Sequence, residues 1–281
     1  MNYSKVDRNM FEKVLLYILL IGLTLTTLTP FLWMLTTSFK EYREVFIYPP
    51  RLLPSHFTTE AYRKIFTFIP FARQFLNSVI VTSLVLIGQL ICCSLAGYSF
   101  ARLEFPGRDI IFLLYLGTLM IPGYVTLIPT YILVRFLGWI NTLYALFVPG
   151  LFGGAFGTFL LRQFFLTIPK ELEDAAKIDG CGYFRIYSTI MLPQITPALA
   201  TLGVFTFMGS WNDFFWPLVV INSEDKKTIT VGIATLTRGF HATDWTALMA
   251  GATLSVLPVI IVFLFAQKYF TEGIVLTGIK G

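Results

Sequence analysis

Six runs of apolar residues, each close to or above twenty positions long, divide the chain: 14–37, 75–99, 109–133, 142–161, 195–220 and 247–268. A helix needs about 20 apolar residues to cross the hydrocarbon core of a bilayer, so the pattern predicts six transmembrane helices joined by polar connections. The third run is interrupted by Ile121-Pro122-Gly123 and again by Pro129, which predicts a kinked or broken helix. Such breaks are tolerated at membrane depth where neighbouring helices or a water-filled cavity satisfy the freed backbone groups. The fourth run carries Gly150, Gly153, Gly154 and Gly157, small residues that let helices approach closely, either within the chain or at a subunit interface. Between the first two runs, Lys40 to Arg73 form a loop broken by Pro49, Pro50 and Pro54, with a short amphipathic helical turn expected around Thr58 to Tyr62. A tight turn is expected at Leu137-Gly138-Trp139-Ile140.

A polar interruption in the second half runs from Glu171 to Pro193. Its start favours a helix: Pro169 suits a first turn, Glu171, Glu173 and Asp174 set negative charge at the positive end of the helix dipole, and Gly180 supplies a left-handed stop. A helix of about three turns is expected. Ile168, Leu172, Ala175 and Ala176 recur at helical spacing, predicting an apolar face of partly small residues with the charges opposite. Such a helix cannot cross a bilayer; it can lie along the surface or dock in a protein groove.

Composition agrees with a polytopic membrane protein: 56% of the 281 residues are hydrophobic, 13% are charged, and the mean hydropathy is +0.72. The first run follows Lys5, Arg8 and Lys13 as a signal peptide would, but its uncharged stretch from Val14 to Phe39 exceeds an apolar signal region of about 7–15 residues, and no small-residue cleavage site follows. It is read as a retained helix. The net charge of +5 is scattered among the connections, which argues against a nucleic-acid footprint and is accounted for by anionic lipid headgroups. Lys and Arg divide almost evenly between the two sets of loops, so charge alone does not orient the chain. Cys92 and Cys93 are neighbours inside a run and Cys181 lies in the polar loop, a distribution that fits packing better than a disulfide framework. His56 and His241 lack ligand-spaced companions, so no metal site is expected, and no phosphate-binding Gly-Lys-Ser/Thr loop is present.

Asp213 is the one acid well inside a predicted span, in the segment Gly209 to Trp216. An ionisable group there costs about 2.5–3.5 kcal/mol on insertion scales and normally faces a cavity or a partner, so Asp213 is read as lining a pathway or pinning helices together, with Asn212 beside it. Trp211, Phe214, Phe215 and Trp216 suit an aromatic belt at the interface or stacking on sugar faces.

Ala175-Ala176, Gly180, Ile190, Leu192 and Pro193 stand at the spacing of Glu-Ala-Ala, three residues, Gly, nine residues, Ile-x-Leu-Pro. That pattern resembles the cytoplasmic loop of ATP-binding-cassette importer membrane subunits, with Asp174 in the usual glutamate position and Glu173 just before it. The likeness extends from the outer loop through Thr243-Asp244-Trp245 and Leu257-Pro258 to Gly278-Ile279-Lys280-Gly281, and is greatest to the second permease subunit of carbohydrate importers of the maltose and glycerol-3-phosphate kind. The resemblance implies an all-α polytopic membrane protein with six transmembrane helices and a coupling helix between the fourth and fifth. One membrane domain is expected over 1–281: a first helix and outer loop over 1–70, a core over about 71–270 holding the loop 168–193, and a tail over 271–281. It further implies a docking role toward ATPase subunits for Glu173, Asp174, Ala175, Ala176 and Gly180, with Pro193 holding the angle of entry into the fifth helix. Lys280 would sit near those ATPases.

By the same resemblance the chain is no enzyme itself. ATP and magnesium belong to two partner ATPase subunits or domains, a second permease subunit completes the pathway, and an extracytoplasmic solute-binding protein delivers sugars or oligosaccharides. Both termini would face the cytoplasm of a prokaryotic cell, under the inner or plasma membrane. The competing class is a secondary transporter driven by an ion gradient, which normally shows repeated halves and coupling carboxylates near the midplane; one deep acid and no repeat count against it. An intramembrane protease would need a second membrane aspartate or a membrane Ser-His pair, and neither is present.

Overall fold

A computed structural model describes residues 3–237 and 243–278; His241 and the segment 279–281 with Lys280 lie outside the described residues. Every regular element among them is helical. In chain order these are α1 (Tyr3–Thr37), α2 (Glu60–Phe68), α3 (Phe71–Arg102), α4 (Arg108–Gly117), α5 (Gly123–Phe136), α6 (Tyr144–Leu151) and α7 (Ala155–Thr167). They continue as α8 (Glu171–Ile178), α9 (Tyr183–Gln194, with a π-helical middle), α10 (Thr196–Trp211), α11 (Phe215–Val220), α12 (Ile229–Thr235) and α13 (Trp245–Gly278).

Four stretches are long and apolar enough to cross a membrane, and six when each bent pair counts as one span. The expected break in the third run is a 99° bend between Arg108–Met120 and Gly123–Phe136, centred on Ile121 and Pro122. Pro129 sits within α5 without ending it. The fourth run continues to Thr167, past the expected end at 161, because no helix breaker or strong polar cluster intervenes before Pro169. The fifth begins earlier than the expected 195: α9 precedes it and turns by 80° into α10 at Ile195.

The chain divides into two compact units, residues 1–69 with 233–256 and residues 70–232 with 257–281. In the first, α1 leaves most of its side chains exposed, as a helix bathed in lipid does. Its following loop is organised by charged groups. Lys40 sits 4.2 Å over the Trp33 ring and donates to the Arg51 carbonyl at 2.6 Å, while Glu44 accepts from the Ser55 amide and hydroxyl at 2.7 and 2.8 Å. Asp244 caps α13: its Oδ1 accepts from the amides of Thr246 and Ala247 and the Thr246 hydroxyl, and its Oδ2 lies 3.5 Å from Lys64 Nζ. Burial raises the Asp244 pKa, but the Thr246 and Ala247 hydrogen bonds and the Lys64 ammonium outweigh it and hold the carboxyl below its ordinary range.

The second unit has two apolar cores. One gathers Cys93, Tyr98, Leu161, Phe165, Ile186, Tyr187, Met191 and Leu202 between α3, α7, α9 and α10. The other joins Val81, Val85, Val134, Ala145, Leu146 and Val220. Near the second core, polar side chains stitch loops to helices. Gln74 donates to Glu224 O, Asn77 to the carbonyls of Asp225 and Lys227, and Ser78 Oγ accepts from the Ile229 amide at 2.8 Å. Asn141, at φ 61°, donates to Ser223 Oγ and accepts from the amides of Asn222 and Ser223.

Candidate functional site

Two features of the second unit carry the functional reading: the surface helix α8 and a cavity among α3, α5, α6, α7 and α10. α8 is a helix of eight residues, about two turns rather than the three expected. It starts at Glu171 with Lys170 as its cap, so Pro169 precedes the helix instead of opening its first turn. Its end matches the expected left-handed stop. Gly180 has φ +79°, the Cys181 amide donates to Ala176 O at 2.9 Å, and the Gly180 amide donates to Lys177 O at 3.0 Å. That pair of bonds closes the last turn as a Schellman motif, whose left-handed residue glycine adopts without a Cβ clash.

The buried face of α8 differs from the expected apolar stripe. Glu173 and Ala176 are buried, whereas Leu172 and Ala175 are exposed and Ile178 is 87% exposed. A charged partner explains the inversion. Arg102, the last residue of α3, projects under α8, and its Nε stands 3.4 Å from Glu173 Oε1 with both side chains nearly inaccessible. Arg102 Nη2 also donates to the carbonyls of Phe165 and Ile168 at the end of α7. They belong to the last turn of α7 and its cap, where a helix leaves acceptors short of intrahelical partners; Phe165 O also accepts from the Ile168 amide at 3.3 Å. Ala176 is buried beneath, in the core that Cys181, Ile186 and Tyr187 also pack.

Of the residues read as docking, Asp174 is exposed beside Lys177 at 3.5 Å, Ala175 and Gly180 are exposed, and Pro193 is exposed in α9 just before the bend. Glu173 instead faces inward. Tyr183 and Phe184 are also exposed next to α8, at 62% and 73%.

The cavity has a volume of about 640 Å³. Its polar lining comes from Gln89, Thr126, Thr130, Thr206, Ser210 and Asp213, and its aromatic lining from Phe156, Phe205 and Trp216. Thr206 donates to Gln89 Oε1 at 3.4 Å and Ser210 to Thr82 Oγ1 at 3.3 Å, so these groups are held by one another. Asp213 is half-buried; its Oδ1 accepts from the Trp216 amide at 3.3 Å, and its own carbonyl accepts from Thr230 Oγ1 at 2.8 Å. Among the described residues no cation pairs with it. It therefore faces the cavity rather than pinning helices through an ion pair.

Trp211 corrects the sequence reading. It is 2% exposed, stacked on Phe207 and edge-on to Phe75, each with ring centres 5.6 Å apart, which leaves no face for belt or sugar. Asn212 is exposed, with Nδ2 donating to Met208 O at 2.9 Å, and Phe214 lies outside the cavity lining. Trp216 does line it, while its indole donates to Ala145 O at 2.8 Å.

A family model described as binding-protein-dependent transport system inner membrane component matches residues 93–275, a stretch that takes in α8 and most of the cavity wall. The chain belongs to that family. This permease is 37% identical over 257 residues to the probable ABC transporter permease protein YurM of Bacillus subtilis strain 168, covering 90% of this chain and 83% of that one. It is 36% identical over 255 residues to the arabinooligosaccharides transport system permease protein AraQ of Halalkalibacterium halodurans, covering 90% and 91%. In fold, the permease matches a crystal structure of a bacterial ABC transporter involved in the import of the acidic polysaccharide alginate, at a TM-score of 0.83 and 24% identity, covering 96% of this chain and 99% of the other.

Sequence reading missed Arg102, whose partners lie far along the chain, and missed Gln89, Thr126 and Thr130, single polar residues in apolar runs. Gln89 alone carried a signal, as an amide inside an apolar run. A polar side chain in a membrane span has to face a partner or a cavity.

Proposed function

We propose that the permease is one of two membrane subunits of an ATP-driven importer for sugars or oligosaccharides. The single observation that carries the substrate class is the cavity: hydroxyl and amide groups beside aromatic faces suit neutral polyols, and a relative sharing over a third of its residues is named for arabinooligosaccharides. A related second permease subunit would close the open side of the cavity, and a solute-binding protein would deliver substrate to it. ATP with magnesium would bind and be hydrolysed on two partner ATPase subunits or domains. Both termini and α8 would face the cytoplasm, with lipid around α1.

In this reading α8 is the coupling helix. Asp174, Ala175 and the Gly180 turn present to the ATPase, Ala176 and Glu173 seat the helix on its own chain, and Pro193 lies where the motion enters α10. Closure of the ATPases draws the two coupling helices together and turns the cavity from one face of the membrane to the other. The experiment is purification in mild detergent with mass spectrometry of the co-purifying chains. A P-loop ATPase is expected with the wild type and absent with Ala175→Arg, a change confined to the exposed face. A chain that purifies alone and transports in response to an ion gradient would overturn the reading and favour a secondary transporter.

A further inference from the structure

The side chain of Arg102 ties its own helix, α3, to two others, α7 and α8. Its guanidinium reaches the last carbonyls of α7 at Phe165 and Ile168 and the buried carboxylate of Glu173 on α8, while its own backbone ends α3. Its contact with Glu173 is one of charge: Nε and Oε1 lie 3.4 Å apart without the alignment of a hydrogen bond, and neither atom has another partner. Water is excluded there, since the two side chains are 3% and 7% exposed. An isolated charge at such a depth is strongly disfavoured, so α8 cannot leave α3 without separating an ion pair in a dry site.

From Arg102 the connection runs on to the cavity. α3 and α7 are packed too tightly to slide: a Cβ on Gly97 would come within 3.1 Å of Arg162 N and 3.2 Å of Leu161 Cβ, and one on Gly157 within 2.7 Å of Cys93 Sγ. Farther along α3, against the end of α6, a Cβ on Gly88 would meet Leu151 O at 2.4 Å. Both helices then line the cavity, α3 through Val85 and Gln89 and α7 through Phe156 and Gly157. Gln89 is about 20 Å along α3 from Arg102. Packed interfaces of this kind shift as units rather than deforming continuously.

We propose that Arg102 is a positioning residue for energy coupling, which clamps α8 to the ends of α3 and α7 so that movement of α8 is delivered to the cavity wall. This rests on the reading of α8 as the coupling helix. Arg102 touches neither nucleotide nor substrate. Its function requires Nη2, which donates to both carbonyls, and Nε, which faces Glu173, held at a fixed separation in one plane; Lys supplies a single nitrogen on a flexible stem and cannot occupy both positions.

The test uses the whole complex, with both membrane subunits, ATPases and binding protein, in proteoliposomes. ATP hydrolysed and substrate taken up are measured in parallel for wild type, Arg102→Lys, Glu173→Gln and Ala175→Arg. For Arg102→Lys the ATPase co-purifies and ATP is hydrolysed, but uptake per ATP falls on the order of tenfold. Glu173→Gln, which retains the side-chain volume, shifts the ratio the same way by less. An unchanged ratio in both variants overturns the proposal, as does a loss of uptake matched by an equal loss of ATP hydrolysis, the signature of a merely structural role. Failure of the coupling-helix reading is separate: it shows as undiminished ATPase co-purification with Ala175→Arg. Should Arg102→Lys not assemble, the ratio measured with Glu173→Gln decides.

Discussion

The two ends of α3 are fastened in different ways. At its beginning, Gln74, Asn77 and Ser78 reach neutral backbone groups between Glu224 and Ile229 through ordinary hydrogen bonds of 2.8–3.0 Å, and the Arg73–Asp225 ion pair beside them, at 3.5 Å, is exposed to solvent screening. At its end, Arg102 binds the carbonyls of α7 and a buried carboxylate. Neutral bonds are each worth about 0.5–1.5 kcal/mol net and are lost one at a time. A buried ion pair contributes little net stability as a pair, yet removing one member strands the other at a cost on the order of 3–5 kcal/mol. One end of the helix is therefore tolerant and graded, and the other fails as a unit. That asymmetry suits a helix that is anchored at one end and driven at the other.

The largest effect is expected from Arg102→Ala, which abolishes the charged anchor and two carbonyl bonds. Thermal unfolding in detergent should show a loss of about 3–5 kcal/mol, and the double variant with Glu173→Ala should lose no more than the single one. A strictly additive double variant would mean the two groups do not act as a pair. Next comes Gly157→Val, which drives a side chain into Cys93 and Leu202 and should cost about 1–3 kcal/mol. Cys93→Gly should recover part of that loss, and no recovery would show that the contact does not set α3 against α7.

At the beginning of α3, Ser78→Ala removes one acceptor for the Ile229 amide and should cost about 1 kcal/mol, independent of pH from 5 to 9, where the hydroxyl does not titrate. A loss as large as that of Arg102→Ala would erase the contrast between the ends. The smallest effect concerns the charged cap of α13. Asp244 titrates below its ordinary value when folded, so its stabilisation is complete above the unfolded pKa of about 3.9 and disappears as pH falls through the lower folded value. Asp244→Asn should flatten the acid limb of the stability profile in that window alone, and an unchanged limb would refute the cap's share in it.

Local features of the fold were legible because their causes are local. The apolar runs marked the spans, Ile121-Pro122-Gly123 marked the 99° bend, and Gly180 marked the stop of α8. What escaped depended on distance along the chain. The acids of α8 were placed on the outer face by periodicity, but Glu173 turns inward because Arg102, 71 positions earlier, lies beneath it. Trp211 looked like an interfacial aromatic by composition, yet Phe75 and Phe207 enclose it. In the cavity, Asp213 stood out as an acid, while the threonines around it did not, since Thr is common in membrane helices and only packing reveals which ones converge.

The separation of Arg102 from its partners also sets an order of events during synthesis. The guanidinium leaves the ribosome 71 residues ahead of the Glu173 carboxylate, an interval of roughly 4–14 s at ordinary translation rates. Throughout it the Arg102 guanidinium has to stay hydrated, because a charge without a partner is strongly disfavoured away from water. The clamp therefore closes only after α7 has been made, and before Ile186, Tyr187, Met191 and Leu202 can complete the neighbouring core. A chain released before Glu173 is added would retain an unneutralised cation at the end of α3.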